Sequence, residues 1–245
     1  MTNTLHLSTC CISDPGRHRP KNEDVCTADL KQCCFLVADG MGGNAGGDVA
    51  SGIFKKVATQ RFSEGETLSQ QECKTLVKNC FRYANRDIID QASGNPVLTG
   101  MGCTAELLTF YSNTFILGHV GDSRTYSFHG GELRQLTKDH SLIQQQLDLG
   151  DISTTEAKAS RFKNVLLQAV GTTPDLTPDI VCGEVLPETI FLLCTDGLHS
   201  MLSSEEISPV LAFDAPLELK AEMLVNMAND AGGKDNISVT LVAVG

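Results

Sequence analysis

Between Cys33 and Gly47 the chain reads CCFLVADGMGGNAGG: a short apolar run, one carboxylate at Asp39, then a stretch in which Gly40, Gly42, Gly43 and Gly46 carry no side chain. A strand that ends in an acid and then bends tightly presents that carboxylate together with backbone carbonyls and amides, the ingredients of a metal or phosphate site. The arrangement recurs. Asn22-Glu23-Asp24, Gly121-Asp122-Ser123, Thr195-Asp196-Gly197 and Lys234-Asp235-Asn236 all sit beside strand-like runs. If those strands lie side by side, their carboxylates converge on one rim, where like charges repel unless cations neutralise them. Carboxylate and carbonyl oxygens favour hard ions, Mg²⁺ or Mn²⁺. Two such ions sharing one carboxylate lower the pKa of a water between them and aim it at phosphorus, the chemistry of phosphoester hydrolysis. Arg19 is the candidate to orient the phosphate. With Arg17, His18 and Lys21 it forms a basic patch that reads either as a partner of that centre or as a solvated loop.

The elements that must position these acids follow from the patterning. Strands are expected at 5–12, 25–29, 33–38, 103–111, 114–120, 124–128, 132–136, 164–170, 178–186, 190–195 and 237–244, with the four from 103 to 136 forming one antiparallel meander. Val49, Ile53, Phe54, Val57 and Ala58 recur at helical spacing over 46–62, and Cys73, Leu76, Val77, Cys80, Phe81, Ala84 and Ile88 line one face of a second helix over 69–92. Two short helices are expected within 139–165, packed on the rim as a lid. Ser203-x-x-Glu206 reads as a capping box, and a longer helix runs from 216 to 229. Many hairpin-linked strands with helices early and late imply an α+β fold, a four-layer α-β-β-α sandwich of two antiparallel sheets flanked by helices.

Composition bounds the rest. With 245 residues, no repeat and no linker, the chain reads as one domain over 1–245. A net charge of −11 argues against nucleic acid, and no apolar run is long enough to span a membrane. The ten cysteines are irregularly spaced and lack a Cys-x-x-Cys pair, so core thiols in a reduced cytoplasm are expected rather than a zinc site. Nothing calls for more than a monomer.

Taken in order, Ser13-Asp14-x-Gly16-x-x-Arg19-x-x-Asn22-Glu23-Asp24, Val37-Ala38-Asp39-Gly40-Met41-Gly42-Gly43, Met101-Gly102-x-Thr104, Gly121-Asp122-Ser123-Arg124, Leu136-Thr137-x-Asp139-His140-Ser141, Thr195-Asp196-Gly197 and Asp235-Asn236 resemble the motifs of the metal-dependent type-2C serine/threonine protein phosphatases in their compact bacterial form. The resemblance covers essentially the whole chain. It implies hydrolysis of phosphoserine and phosphothreonine by a bimetal-activated water, with phosphoproteins made by a bacterial Ser/Thr kinase as substrates. It also implies roles: Asp39 bridging two Mn²⁺ or Mg²⁺ ions, the Gly40 carbonyl on one, Asp196 and Asp235 on the other, Glu23 holding water and Arg19 the phosphate. Asp122, with Asp196, would hold a third, weaker ion. The pattern departs at Met41, where some relatives carry a histidine, at Asn44, at Cys103, and at Ala159-Ser160-Arg161 in the lid.

Among the remaining conspicuous residues, Arg124 is expected in a buried ion pair and His140 as a hydrogen-bonded anchor of the lid. His119 and His199 are read as packing residues or as supports behind the metal ligands. Two rival readings are a binding protein that kept this fold and lost turnover, and a hydrolase of small phosphoesters or nucleotides. The first is disfavoured because Asp39, Asp196 and Asp235 are all present.

Overall fold

In the computed structural model, residues 5–42, 46–64 and 69–245 are described, with all their side chains except those of Lys158 and Ala159. Gly43 and Asn44 of the glycine-rich turn lie outside them. Two antiparallel sheets face each other. One has the order β1 (Leu7–Asp14), β11 (Ile237–Val244), β10 (Ile190–Cys194), β7 (Arg124–His129), β8 (Glu132–Gln135). The other runs β2 (Asp24–Asp29), β3 (Cys34–Met41), β5 (Ala105–Tyr111), β6 (Thr114–Val120), β9 (Asp179–Glu184), with the two-residue β4 (Gly102–Cys103) pairing the end of β3. Helices α1 (Gly47–Ser63) and α2 (Gln70–Gly94) cover the second sheet, where Phe54 and Phe81 meet edge to face at 4.9 Å. The first sheet is covered by α5 (Asp196–His199), α6 (Ser204–Ala212) and α7 (Leu217–Asp230). A third apolar cluster, centred on Phe35, Val37, Leu117, Phe191, Leu193 and Val242, fills the space between the sheets. This is the expected four-layer sandwich.

Two expectations fail. The strands from 103 to 136 do not form one meander: β5 and β6 pair in one sheet, β7 and β8 in the other. The chain changes sheets at Gly121, whose φ of +108° is costly for any residue with a side chain, and where an added Cβ would lie 2.6 Å from Thr104. Residues 164–170 form no strand. They make only the bridges Ser141–Leu166 and Cys103–Val170, which tie the segment between β8 and β9 to the rest of the fold. That segment holds α3 (Leu142–Leu149) and α4 (Thr154–Ala159). The start of α2 carries the Ser69/Glu72 capping box, while Ser153/Glu156 and Ser203/Glu206 open α4 and α6.

Candidate metal centre

The two sheets end together at one rim. There a cavity of about 600 Å³ is lined by Arg19, Glu23, Asp39, Gly40, Asp122, Asp196 and Asp235, the residues to which the motif resemblance assigns metal, water and phosphate roles. The five acids come from different parts of the fold. Asp39 lies near the end of β3, opposite Asp24 of β2; Asp122 follows β6; Asp196 opens α5 directly after β10; Asp235 precedes β11. Gly40 is held where a Cβ would lie 2.1 Å from the Gly47 carbonyl oxygen and 2.6 Å from that of Glu23, so no side chain fits.

Backbone hydrogen bonds set the acids in place. The Asp39 amide donates to Thr104 Oγ1 (3.2 Å), whose hydroxyl is 2.6 Å from that of Ser123 in the sheet-switching turn. The Gly40 amide donates to the Glu23 carbonyl (3.2 Å), which also accepts from Ser51 Oγ (2.6 Å). Arg19 pairs with Asp235 at 2.6 Å, while Lys21 reaches Asp48 in the first turn of α1 at 2.5 Å. Thr195 Oγ1 donates to Asp24 Oδ2 (2.8 Å).

Electrostatically the site is short of cations. Burial, then the charges of Asp24, Asp196, Asp122 and Asp235, hold the Asp39 carboxyl well above the usual carboxylate range. Burial and Asp196 push Asp122 up to about 7, and burial and Asp235 push Asp196 up to about 6. Burial also raises Glu23. Asp196 Oδ1 is buried with no hydrogen-bond partner, as is Asp24 Oδ1. Orphaned carboxylate oxygens in a cluster of repelling acids fit a hard, oxygen-preferring cation. Among the described residues no three His, Cys, Asp or Glu side chains already close around a single point; the acids surround a cavity.

Three residues support the acids from behind, and of these His199 is one that the sequence already offers as a packing residue or a support. Asn236, buried, accepts from the Glu23 amide (2.8 Å) and donates to the Pro15 and Lys21 carbonyls (2.9 and 3.0 Å), so it carries the whole loop of Arg19 and Glu23. His199 Nε2 donates to the Asp122 carbonyl (2.9 Å), and burial holds its pKa down at about 4, keeping the ring neutral. Thr104 supports Asp39. Asn236 and Thr104 are in the sequence motifs, but only their partners reveal a function. Asn164 and Leu166, beyond α4, complete the rim.

Other residues named in the sequence analysis can be placed. Arg124 and Asp139 form a two-pronged pair at 2.8 and 2.7 Å. His140 is hydrogen-bonded as expected: Nδ1 accepts from the Gly121 amide (3.2 Å) and Nε2 faces Asp179 (3.3 Å), while its carbonyl accepts from Leu167 at the base of the α3–α4 segment. His119 is fully buried between Glu106 and the Lys138 carbonyl. Cys73 and Cys80 are core residues. No helix among the described residues is long and apolar enough to cross a membrane.

Comparison with known proteins gives this cavity its context. Residues 19–237 match the family model described as protein phosphatase 2C. The chain is 35% identical over 234 residues to the serine/threonine phosphatase stp of Listeria innocua, covering 94% of this chain and 93% of that one. It superposes on the Streptococcus agalactiae serine/threonine phosphatase with a TM-score of 0.93 at 29% identity, covering 98% of this chain and 100% of that one. On the catalytic domain of the serine/threonine protein phosphatase PstP, crystallised with two manganese ions, the TM-score is 0.89 at 32% identity, with coverage of 98% and 99%. A match along nearly the whole length, in sequence and in fold, places this chain in the protein phosphatase 2C family of metal-dependent serine/threonine protein phosphatases.

Proposed function

We propose that the rim cavity hydrolyses phosphoserine and phosphothreonine in proteins with two Mn²⁺ or Mg²⁺ ions, opposing a Ser/Thr kinase in the cytoplasm as a monomer. The observation that carries this reading is the convergence of Asp39, Gly40, Asp196 and Asp235 with Arg19 and Glu23 on one cavity that leaves Asp196 Oδ1 unpartnered. Asp39 would be shared by both ions, the Gly40 carbonyl would serve one, and Asp196 and Asp235 the other; Asp122 with Asp196 would hold a third, weaker ion. When bound, such ions supply a water of lowered pKa and offset the charge that develops on the phosphoryl group.

The remaining work falls to the chain. Arg19 meets the substrate phosphate, exchanging part of its Asp235 pairing for it. Glu23, its backbone fixed by Gly40, Ser51 and Asn236, keeps its carboxylate on the cavity to orient water. Among the described lining residues there is no cysteine, which favours attack by water over a cysteinyl phosphoenzyme. With Met41 at the lining position next to Gly40, no side chain there can protonate the leaving oxygen; that proton comes from water. The segment from 139 to 165 acts as a lid, with Asn164 and Leu166 on the rim at its edge.

The test is phosphate release from a phosphothreonine peptide and from a nucleotide across a Mn²⁺ titration, with an EDTA control and Asp39→Asn in parallel. Metal-dependent release preferring the peptide, and lowered by orders of magnitude in the variant, is expected. Near-normal activity of Asp39→Asn at saturating Mn²⁺ would sink the ligand assignment, and a preference for the nucleotide would sink the substrate class.

A further inference from the structure

Where the edge strands β1 and β2 face each other lie two thiols that the phosphatase reading does not use. Each strand is the outermost of its sheet. Along β1 the side chains alternate: Cys10 and Ile12 pack towards α7 in the outer core, which leaves Cys11 facing the opposite sheet. On β2, Cys26 packs against the cluster between the sheets. The registers bring them together. Cys11 lies opposite Thr240 of β11, Thr240 Oγ1 crosses to the Leu36 carbonyl of β3 (3.1 Å), and the next residue, Val37, lies opposite Cys26. The two strands are in contact along this edge, and each thiol is the largest influence on the other's ionisation. Both are free and only half-buried, so a small solute can reach them at the open edge.

We propose that Cys11 and Cys26 are a redox modification site: a dithiol that a hydroperoxide converts to a reversible disulfide joining the two sheets. The Cys11 thiolate attacks one peroxide oxygen and the O–O bond breaks; the departing oxygen takes a proton and leaves as water or alcohol, and Cys11 becomes a sulfenic acid. Cys26 then loses its proton and attacks the Cys11 sulfur. The S–O bond breaks and hydroxide leaves with that proton as water. Two thiols are oxidised by two electrons, and one peroxide is reduced.

The electrostatics suit that order of events. The Cys26 thiol pulls the Cys11 thiol down to about 7 against the effect of burial, with the Lys55 ammonium assisting. Lys55 is fixed there by its 3.0 Å bond to the Cys26 carbonyl. Cys26 is itself held up by Cys11, so it stays protonated as the resolving thiol. By contrast, burial pushes up Cys10, Cys33, Cys34, Cys103 and Cys194. Nucleophilic attack on peroxide depends on the thiolate fraction and on access, and Cys11 has both. A disulfide here closes a ring on the segment that carries Arg19 and Glu23, tying the oxidation state to the loop at the rim of the cavity. Cytosolic disulfides are chiefly of this transient kind.

The experiment treats the full wild-type chain with graded hydrogen peroxide, blocks remaining thiols with an alkylating agent, and maps peptides by mass spectrometry without reduction. Cys10→Ser is run alongside so that the Cys11 peptide is unambiguous. The expected result is a Cys11–Cys26 cross-linked peptide that appears at lower peroxide than oxidation of the buried cysteines and disappears with dithiothreitol. In Cys26→Ser, Cys11 should stop at a sulfenic acid that dimedone captures. If both thiols are still alkylated at peroxide that oxidises other cysteines, or if Cys11 is found bonded to a different cysteine, the proposal is wrong. Because wild-type protein carries the decisive readout, a variant that fails to fold does not rescue it.

Discussion

Replacing Asn236 with Ala removes a side chain on which three hydrogen bonds depend. Its Oδ1 accepts from the Glu23 amide, and its Nδ2 donates to the Pro15 and Lys21 carbonyls. Each such bond has a net worth of about 0.5–1.5 kcal/mol, so the loss is about 1.5–4.5 kcal/mol, weighted upward because Asn236 is buried and water cannot fully replace it. For a domain of this length that corresponds to a fall in Tm of roughly 6–12 °C at the central figure of about 3 kcal/mol. Asn236→Asp is more informative still. It keeps the acceptor for Glu23 but sets a carboxylate oxygen against two carbonyl oxygens, so it should be no more stable than the alanine variant. Function should shift with stability, since the loop released carries Arg19 and Glu23: KM for a phosphopeptide should rise in protein still folded at the assay temperature. Denaturant melts give the free energies and steady-state kinetics give KM. A stability loss below about 0.5 kcal/mol for Asn236→Ala, less than one hydrogen bond is worth, with KM unchanged, would refute the claim that this residue holds the loop.

Other perturbations separate the parts of the site. Gly40→Ala forces a Cβ to 2.1 Å from the Gly47 oxygen, a backbone clash, so a loss of at least ~1–3 kcal/mol on denaturant melts and a collapse of activity are expected. Asp122→Asn removes a buried group whose ionisation is opposed by burial and Asp196; in EDTA at pH 8 it should melt no lower than wild type, while counted bound metal falls by no more than the weakest ion and activity drops. His119 should titrate late: burial lowers its pKa, but the Glu106 carboxylate and its hydrogen bond outweigh that and bring it up to about 9. Since this lies above the unfolded value of about 6.5, its stabilisation is complete below that pH and is lost as pH rises through about 9. Imidazole NMR should show His119 protonated at pH 7.5 and His199, held down at about 4, neutral at pH 5.5; the reverse assignment would contradict the buried network.

Much of this was legible in one dimension because its causes are local. The capping box at Ser203 opens a helix where the sequence places it, and the apolar spacing of 46–62 and 69–92 returns α1 and α2 within a few residues. The Asp-Gly and Gly-Asp punctuation marks strand ends because sharp turns need residues without side chains, and acids at strand ends share a rim once the strands are parallel or antiparallel neighbours. The resemblance of the motifs gave the family, and the comparisons bear it out. The tertiary structure alone decided which strands are neighbours. The switch of sheets at Gly121 broke the expected meander, because hairpin spacing is the same whether the next strand pairs or crosses over. Residues 164–170 look apolar enough for a strand but find only single bridges, since a strand exists through its partner and not its composition. Asn236 and the Cys11–Cys26 contact join residues distant in sequence or placed on different sheets, and their chemistry arises from proximity that no local pattern encodes.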